Sequence, residues 1–215
     1  MPELPEVETV VCELRAAGLR GRQILQARIL WPKTLAEPSS ARFARDIRGQ
    51  TIRQLSRRGK FIVCELSNRF TMLIHLRMTG HLELCAPGTR IRRHDRVIFT
   101  LDDNRQLHFA DARKFGRIWL VRDPELVMGG LGPDPLTIMP RAFAAGLVAR
   151  KRQLKPLLLD QTFLAGIGNI YADEALWAAR LHPQRRADSL TAVQAAGLLS
   201  TIRAALRKGI RNLGT

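Results

Sequence analysis

The chain has 215 residues, 46% hydrophobic and 25% charged, with 35 Lys and Arg against 19 Asp and Glu, a formal charge of +16 and a sequence pI near 11.4. That composition is globular and allows one large or two small domains, while the charge, spread through the chain rather than gathered in one tail, exceeds a solubility reserve and points to a polyanionic partner. Cys12, Cys64 and Cys85 are odd in number and lack CxxC spacing, so neither a disulfide framework nor a cysteine zinc site is expected; nor is a signal peptide or a membrane span, there being no run of ~18 apolar residues. A reducing, cytoplasmic compartment fits best.

In chain order, Pro5, Glu6 and Glu8 suit a helix N-terminus, with Val7, Val10, Val11 and Leu14 as its inward stripe and Gly18 as its stop. Residues 23–30, 51–56, 61–66, 72–76, 96–101, 106–109 and 117–121 are short, rich in Ile, Val, Leu and Phe, and separated by turn residues, so they read as strands. Asp102, Asp103 and Asn104 form a hairpin turn by composition. Residues 1–124 are thus expected to be a mainly antiparallel β-sandwich carrying one N-terminal helix, and 125–140, rich in Gly and Pro, a linker. Residues 141–215 read as all-helical, with helices at 141–151, 156–160, 170–179 and 191–208, the last turning Val193, Leu198, Ile202 and Leu206 inward. The fold class is α+β.

Two places carry chemistry. Removal of Met1 would turn Pro2 into a free secondary amine beside Glu3 and Glu6; with a pKa near ~8, against ~10.4 for a lysine, roughly a tenth of it is unprotonated at neutral pH. Such an amine attacks an aldehyde carbon to give a cationic iminium, an electron sink for breaking neighbouring bonds, and the carboxylates could move protons. The same residues equally suit a plain helix start. In the loop Ala165-Gly166-Ile167-Gly168-Asn169, Asn169 reads as an N-cap, and the following helix offers unpaired N–H groups to an anion such as a phosphate; the glycines and Asn could equally just cap a buried helix.

Taken together, MPELPEVETV, RRGKFIV, IHLRMTGHL, DARKFG and AGIGNIYADEALW resemble the formamidopyrimidine-DNA glycosylase family. The resemblance implies a base-excision repair enzyme that removes oxidised purines and cuts the strand by β,δ-elimination, built as a β-sandwich joined to a helix-two-turn-helix domain. It implies Pro2 as Schiff-base nucleophile, Glu3 as the acid that protonates the sugar ring oxygen, Glu6 as support for that proton network, and Lys60 as a phosphate contact at the lesion. Asn169, with backbone N–H groups near Tyr171, resembles a phosphate clamp, with Lys155 and His94 as further phosphate candidates. Met78, Arg113 and Phe115 match the side chains inserted into duplex DNA, Met and Phe as wedges and Arg113 as donor to the orphaned base.

The family continues past the long helix into a four-cysteine zinc finger, whereas this sequence stops at Gly214-Thr215, so a fragment is expected ahead of a protein naturally without the finger, and no metal or cofactor is expected in these residues. The expected partner is damaged double-stranded DNA, bound by a monomer with no membrane association. Alternatives are an impaired or non-catalytic duplex-binding module, an oxidised-pyrimidine glycosylase of the same superfamily, and an RNA-binding protein, the last poorly served by 6% aromatic residues.

Overall fold

A computed structural model describes residues 1–214. They form two compact units: Met1–Pro2 with Val7–Val127, and Glu3–Glu6 with the residues from Met128 onward. The division falls just inside the expected linker, whose first residues form a short helix, Glu125–Met128. The expected assignment of 1–124 to one domain did not foresee that Glu3–Glu6 group with the helical unit.

Helix α1 (Leu4–Ala16) begins at the Pro5 and Glu6 signal and ends before Gly18, which takes the left-handed φ of +74° that a helix stop favours. Its apolar stripe is shared. Val7, Val11 and Leu14 enter the core of the first unit, with Val10 packed at its margin, whereas Leu4 enters the core of the second.

The first unit holds nine strands, β1 (Gln23–Ile29), β2 (Leu35–Glu37), β3 (Gln50–Arg58), β4 (Phe61–Leu66), β5 (Thr71–His75), β6 (Gly80–Cys85), β7 (Asp95–Leu101), β8 (Gln106–Asp111) and β9 (Arg117–Val121), ordered β2-β9-β5-β4-β3-β1-β7-β8-β6. Neighbours run antiparallel except β2 and β9, which are parallel and make the sheet mixed. Only Gln23 with Thr51 and Ile24 with Gln50 join β1 to β3, so the sheet divides there into two halves. Ile24, Phe99 and Phe109 from one half and Ile62, Met72 and Ile118 from the other share a single core, the packing that a two-layer β unit requires. Strands β4 and β5 are buried almost throughout, which explains why they read as unbroken apolar runs rather than alternating ones.

Besides the short helix Glu125–Met128, several elements escaped the sequence reading. Strand β2 is three residues long, β6 hides behind its polar alternation, and helix α2 (Ser40–Ile47) buries only Phe43 and Ile47, one turn apart.

The second unit packs α4 (Pro140–Val148), α5 (Leu154–Leu159), α6 (Asn169–Ala178) and α7 (Ala192–Arg211) about Phe143, Leu154, Leu158, Leu164, Leu176 and Leu198; α3 names the short helix at 125–128. Helix α7 starts with a capping box in which the Thr191 hydroxyl accepts from the Gln194 N–H at 3.2 Å while the Gln194 side chain accepts from the Thr191 N–H. Leu198, Ile202 and Leu206 face inward as expected, but Val193 is 81% exposed. Two residues along a helix is about 200° of rotation, so once Ala195 turns into the core Val193 must turn away from it. Among the described residues no helix is long and apolar enough to cross a membrane.

Candidate active site

In the second unit the site is built on Glu3. Its side chain is only 3% exposed, and its carboxylate accepts from the backbone N–H groups of Gly168, Ile170 and Tyr171 at 2.7, 3.0 and 3.4 Å. Those are the orphan donors at the start of α6, where the helix dipole also favours negative charge. The cap residue is Gly168, not Asn169, and a glycine has no side chain with which to cap. Glu3 supplies the missing acceptor from 165 residues away. The anion expected at this helix start is therefore the chain's own carboxylate, and Asn169 opens the helix as an exposed residue beside it.

Several contacts fix this arrangement. The Glu3 N–H donates to Glu6 Oε2 at 2.8 Å, and the Tyr171 hydroxyl donates to Glu6 Oε1, also at 2.8 Å. The Leu4 N–H donates to the Gly166 carbonyl at 2.9 Å. Gln161, which the sequence reading passed over, holds the loop from beneath. Its Nε2 donates to the carbonyls of Leu159 and Ile167, each at 2.8 Å, and its Oε1 accepts from the Gly166 N–H at 2.9 Å. Glu3, Glu6 and Tyr171 thus form one hydrogen-bonded group, with Tyr171 buried. Lys155 lies outside it and pairs with Asp173 at 2.8 Å.

In the first unit Pro2 precedes α1 and is partly exposed. Lys60 follows Gly59 in the turn between β3 and β4 and is 6% exposed, so it is no solubility device. The turn is braced by Arg57, whose Nε donates to Glu8 Oε2 at 2.7 Å and whose other nitrogen reaches the Gly59 carbonyl at 3.4 Å. Near it lies His75, another residue the sequence reading passed over although it stands in the IHLRMTG segment. Burial, and then the charges of Arg77 and Lys60, lower its pKa to about 4. Its Nδ1 accepts from the Arg77 N–H at 3.0 Å, as suits a neutral ring.

Met78 and Phe115 are large apolar residues left 42% and 48% exposed, and with Met1, Arg77 and Arg117 they line an open cavity of about 380 Å³. The Arg113 guanidinium lies 5.0 Å from the centre of the Phe115 ring. His94 is exposed, and its carbonyl accepts from the Asp111 N–H at 2.8 Å. The structure therefore brings Met78, Arg113 and Phe115 together and leaves their side chains free for an outside ligand.

The zinc implied by resemblance has no matching donor set here, since no group of three or more His, Cys, Asp or Glu among the described residues could hold a metal ion.

Residues 1–118 match the formamidopyrimidine-DNA glycosylase N-terminal domain, and residues 131–215 match the formamidopyrimidine-DNA glycosylase H2TH domain. The whole chain is 44% identical to the formamidopyrimidine-DNA glycosylase of Protochlamydia amoebophila, covering 79% of that protein, and 47% identical to that of Pelotomaculum thermopropionicum, covering 80%. Among solved structures, 99% of the chain superposes on 81% of the Lactococcus lactis Fpg bound to DNA containing an abasic site, with a TM-score of 0.92 and 32% identity. It matches 82% of the same protein bound to FAPY-dG DNA equally well, again with a TM-score of 0.92 and 32% identity.

Proposed function

This chain belongs to the formamidopyrimidine-DNA glycosylase family and is a base-excision DNA glycosylase, and from that premise we propose that it removes oxidised purines and then cleaves the strand through an iminium on Pro2. The observation that carries the proposal is the Glu3 carboxylate, anchored on three backbone donors immediately after the nucleophilic proline. A base cannot be reached inside a duplex, so the damaged nucleotide is extruded, with Met78 and Phe115 filling the vacated stack and Arg113 donating to the orphaned partner base.

With Met1 removed, the Pro2 nitrogen attacks C1′ and the bond from C1′ to the base breaks, its electron pair leaving with the base, which takes up a proton. The attached nitrogen gives up its proton to Glu3, Glu3 passes that proton to O4′, the sugar ring opens, and the nitrogen forms a double bond to C1′. Glu6 and Tyr171 hold the position of Glu3 throughout. The iminium acidifies C2′, whose proton departs as the 3′-phosphate is expelled; a second elimination expels the 5′-phosphate, and water releases the sugar remnant from Pro2. Lys60, His94, Lys155 and Asn169 are the proposed phosphate contacts, the Tyr171 N–H being taken by Glu3, so duplex affinity falls steeply with salt. No cofactor is required by this route. The enzyme is proposed to act as a monomer in the cytoplasm.

Borohydride reduction during turnover of an 8-oxoguanine or abasic duplex tests this. A covalent adduct mapping to Pro2, and lost in Pro2→Gly, is expected. Failure of the Met-processed protein to trap, or an adduct on a lysine, overturns it.

A further inference from the structure

The loops carrying Met78, His94, Arg113 and Phe115 all meet at Asp111, the last residue of β8, which is 1% exposed. Asp111 Oδ1 accepts from the Thr79 hydroxyl and, at 3.1 Å, from the Arg113 N–H; Oδ2 accepts from the Gly116 N–H at 2.7 Å. The backbone of Asp111 joins in as well. Its N–H donates to the His94 carbonyl at 2.8 Å, and its own carbonyl accepts from the buried Arg96 at 2.8 Å. The Thr79 hydroxyl oxygen also lies 3.2 Å from the Arg113 N–H, so this one side chain bridges the loop after β5 and the loop after β8. Burial acts to raise the Asp111 pKa, but the bonds from Thr79, Gly116, Arg113 and Phe115 outweigh it and hold the carboxyl below the usual range.

A loop is ordinarily fixed by burying its apolar side chains. That means is closed here, because Met78 and Phe115 point outward, so the loops that present them must be fixed by polar bonds to their backbones. Lys114 adds one more tie on the far side, its ammonium standing 4.0 Å from the centre of the Trp31 ring.

We infer that Asp111 and Thr79 are positioning residues that hold Met78, Arg113 and Phe115 as one preformed wedge, and so govern extrusion of the damaged base rather than the chemistry at Pro2. This rests on the function proposed above. A duplex whose base is already missing has no base to unstack or unpair, so loosening the wedge affects excision of an intact damaged base more than reaction at a preformed abasic site.

Single-turnover excision from an 8-oxoguanine duplex and borohydride trapping on a preformed abasic duplex are measured side by side. Thr79→Val, which keeps the shape and removes the hydroxyl, is expected to slow excision relative to trapping by about tenfold or more. Thr79→Ser restores the ratio, and Asp111→Asn repeats the Val result or exceeds it. Equal loss in both assays, which a purely structural role gives, overturns the inference, as does an unchanged ratio in Thr79→Val. A wild-type protein that acts on neither duplex overturns the proposed function and this inference with it, whereas a wild type active on both with an unmoved variant ratio overturns this inference alone.

Discussion

Replacing Glu3 by Gln separates what the carboxylate does for the fold from what it does for the reaction. The glutamate presents two acceptor oxygens to three donors, the N–H groups of Gly168, Ile170 and Tyr171. Glutamine keeps one oxygen and sets an amide NH₂ against a donor in a buried site. One buried donor left unsatisfied costs about 1–3 kcal/mol, and loss of the charge at the α6 N-terminus costs about 0.3–1 kcal/mol more. The expected destabilisation is therefore roughly 1.3–4 kcal/mol, or about 3–16 °C in melting temperature for a chain of this size. The loss of cap should also appear locally, as faster amide exchange at Ile170 and Tyr171 than in the wild type. Thermal unfolding followed by circular dichroism measures the first and hydrogen exchange the second. A melting temperature within about 1 °C of wild type, with unchanged exchange at those two amides, would refute the capping argument. Excision is expected to fall in either case, so a stable but inactive variant would assign Glu3 to chemistry alone.

His75 gives a pH-dependent prediction. Its folded pKa of about 4 lies below the ordinary 6.5, so the unfolded chain binds the proton first and the stabilising contribution, full above pH 6.5, is lost as pH falls toward 4. At ~1.4 kcal/mol per pH unit, the advantage of wild type over His75→Gln in denaturant melts should shrink by about 2 kcal/mol between pH 7 and pH 5; a constant difference refutes the assignment. Two glycines of α7 should respond oppositely to alanine. A Cβ at Gly197 meets nothing within 4 Å, so Gly197→Ala should stabilise by up to about 1 kcal/mol through helix propensity. A Cβ at Gly209 would lie 2.6 Å from Tyr171 Cε1, so Gly209→Ala should be less stable than Gly197→Ala by about 1–3 kcal/mol and should slow excision by displacing the Tyr171 hydroxyl from Glu6; equal stabilities contradict the packing described.

How much of this could be read beforehand depended on the kind of signal. The start of α1, the Asp102 to Asn104 hairpin and the α7 stripe from Leu198 to Leu206 were legible because each repeats or breaks a short-range period. Helix α2 was not, since eight residues with two buried side chains give hardly one period to read. At the site, Pro2 and its neighbouring acids were legible by residue type, whereas Met78, Arg113 and Phe115 were placed only through the resemblance to the family.

The bonds that hold the site in place were not legible, and the reason is physical. Glu3, Asp111 and Gln161 each bond chiefly to backbone groups, and a backbone N–H is the same at every position, so no matching side chain betrays the partner at any spacing. The one available sign is negative. Gly168 begins a helix without a side chain to cap it, and the segment from Asp111 to Gly116 exposes its apolar residue, so each segment owes its backbone donors an acceptor from elsewhere. In both places that acceptor is a buried carboxylate. A carboxylate takes several N–H bonds at once and, unlike an apolar plug, leaves the loop's own side chains facing a ligand, which is what a surface that must enter a DNA stack requires.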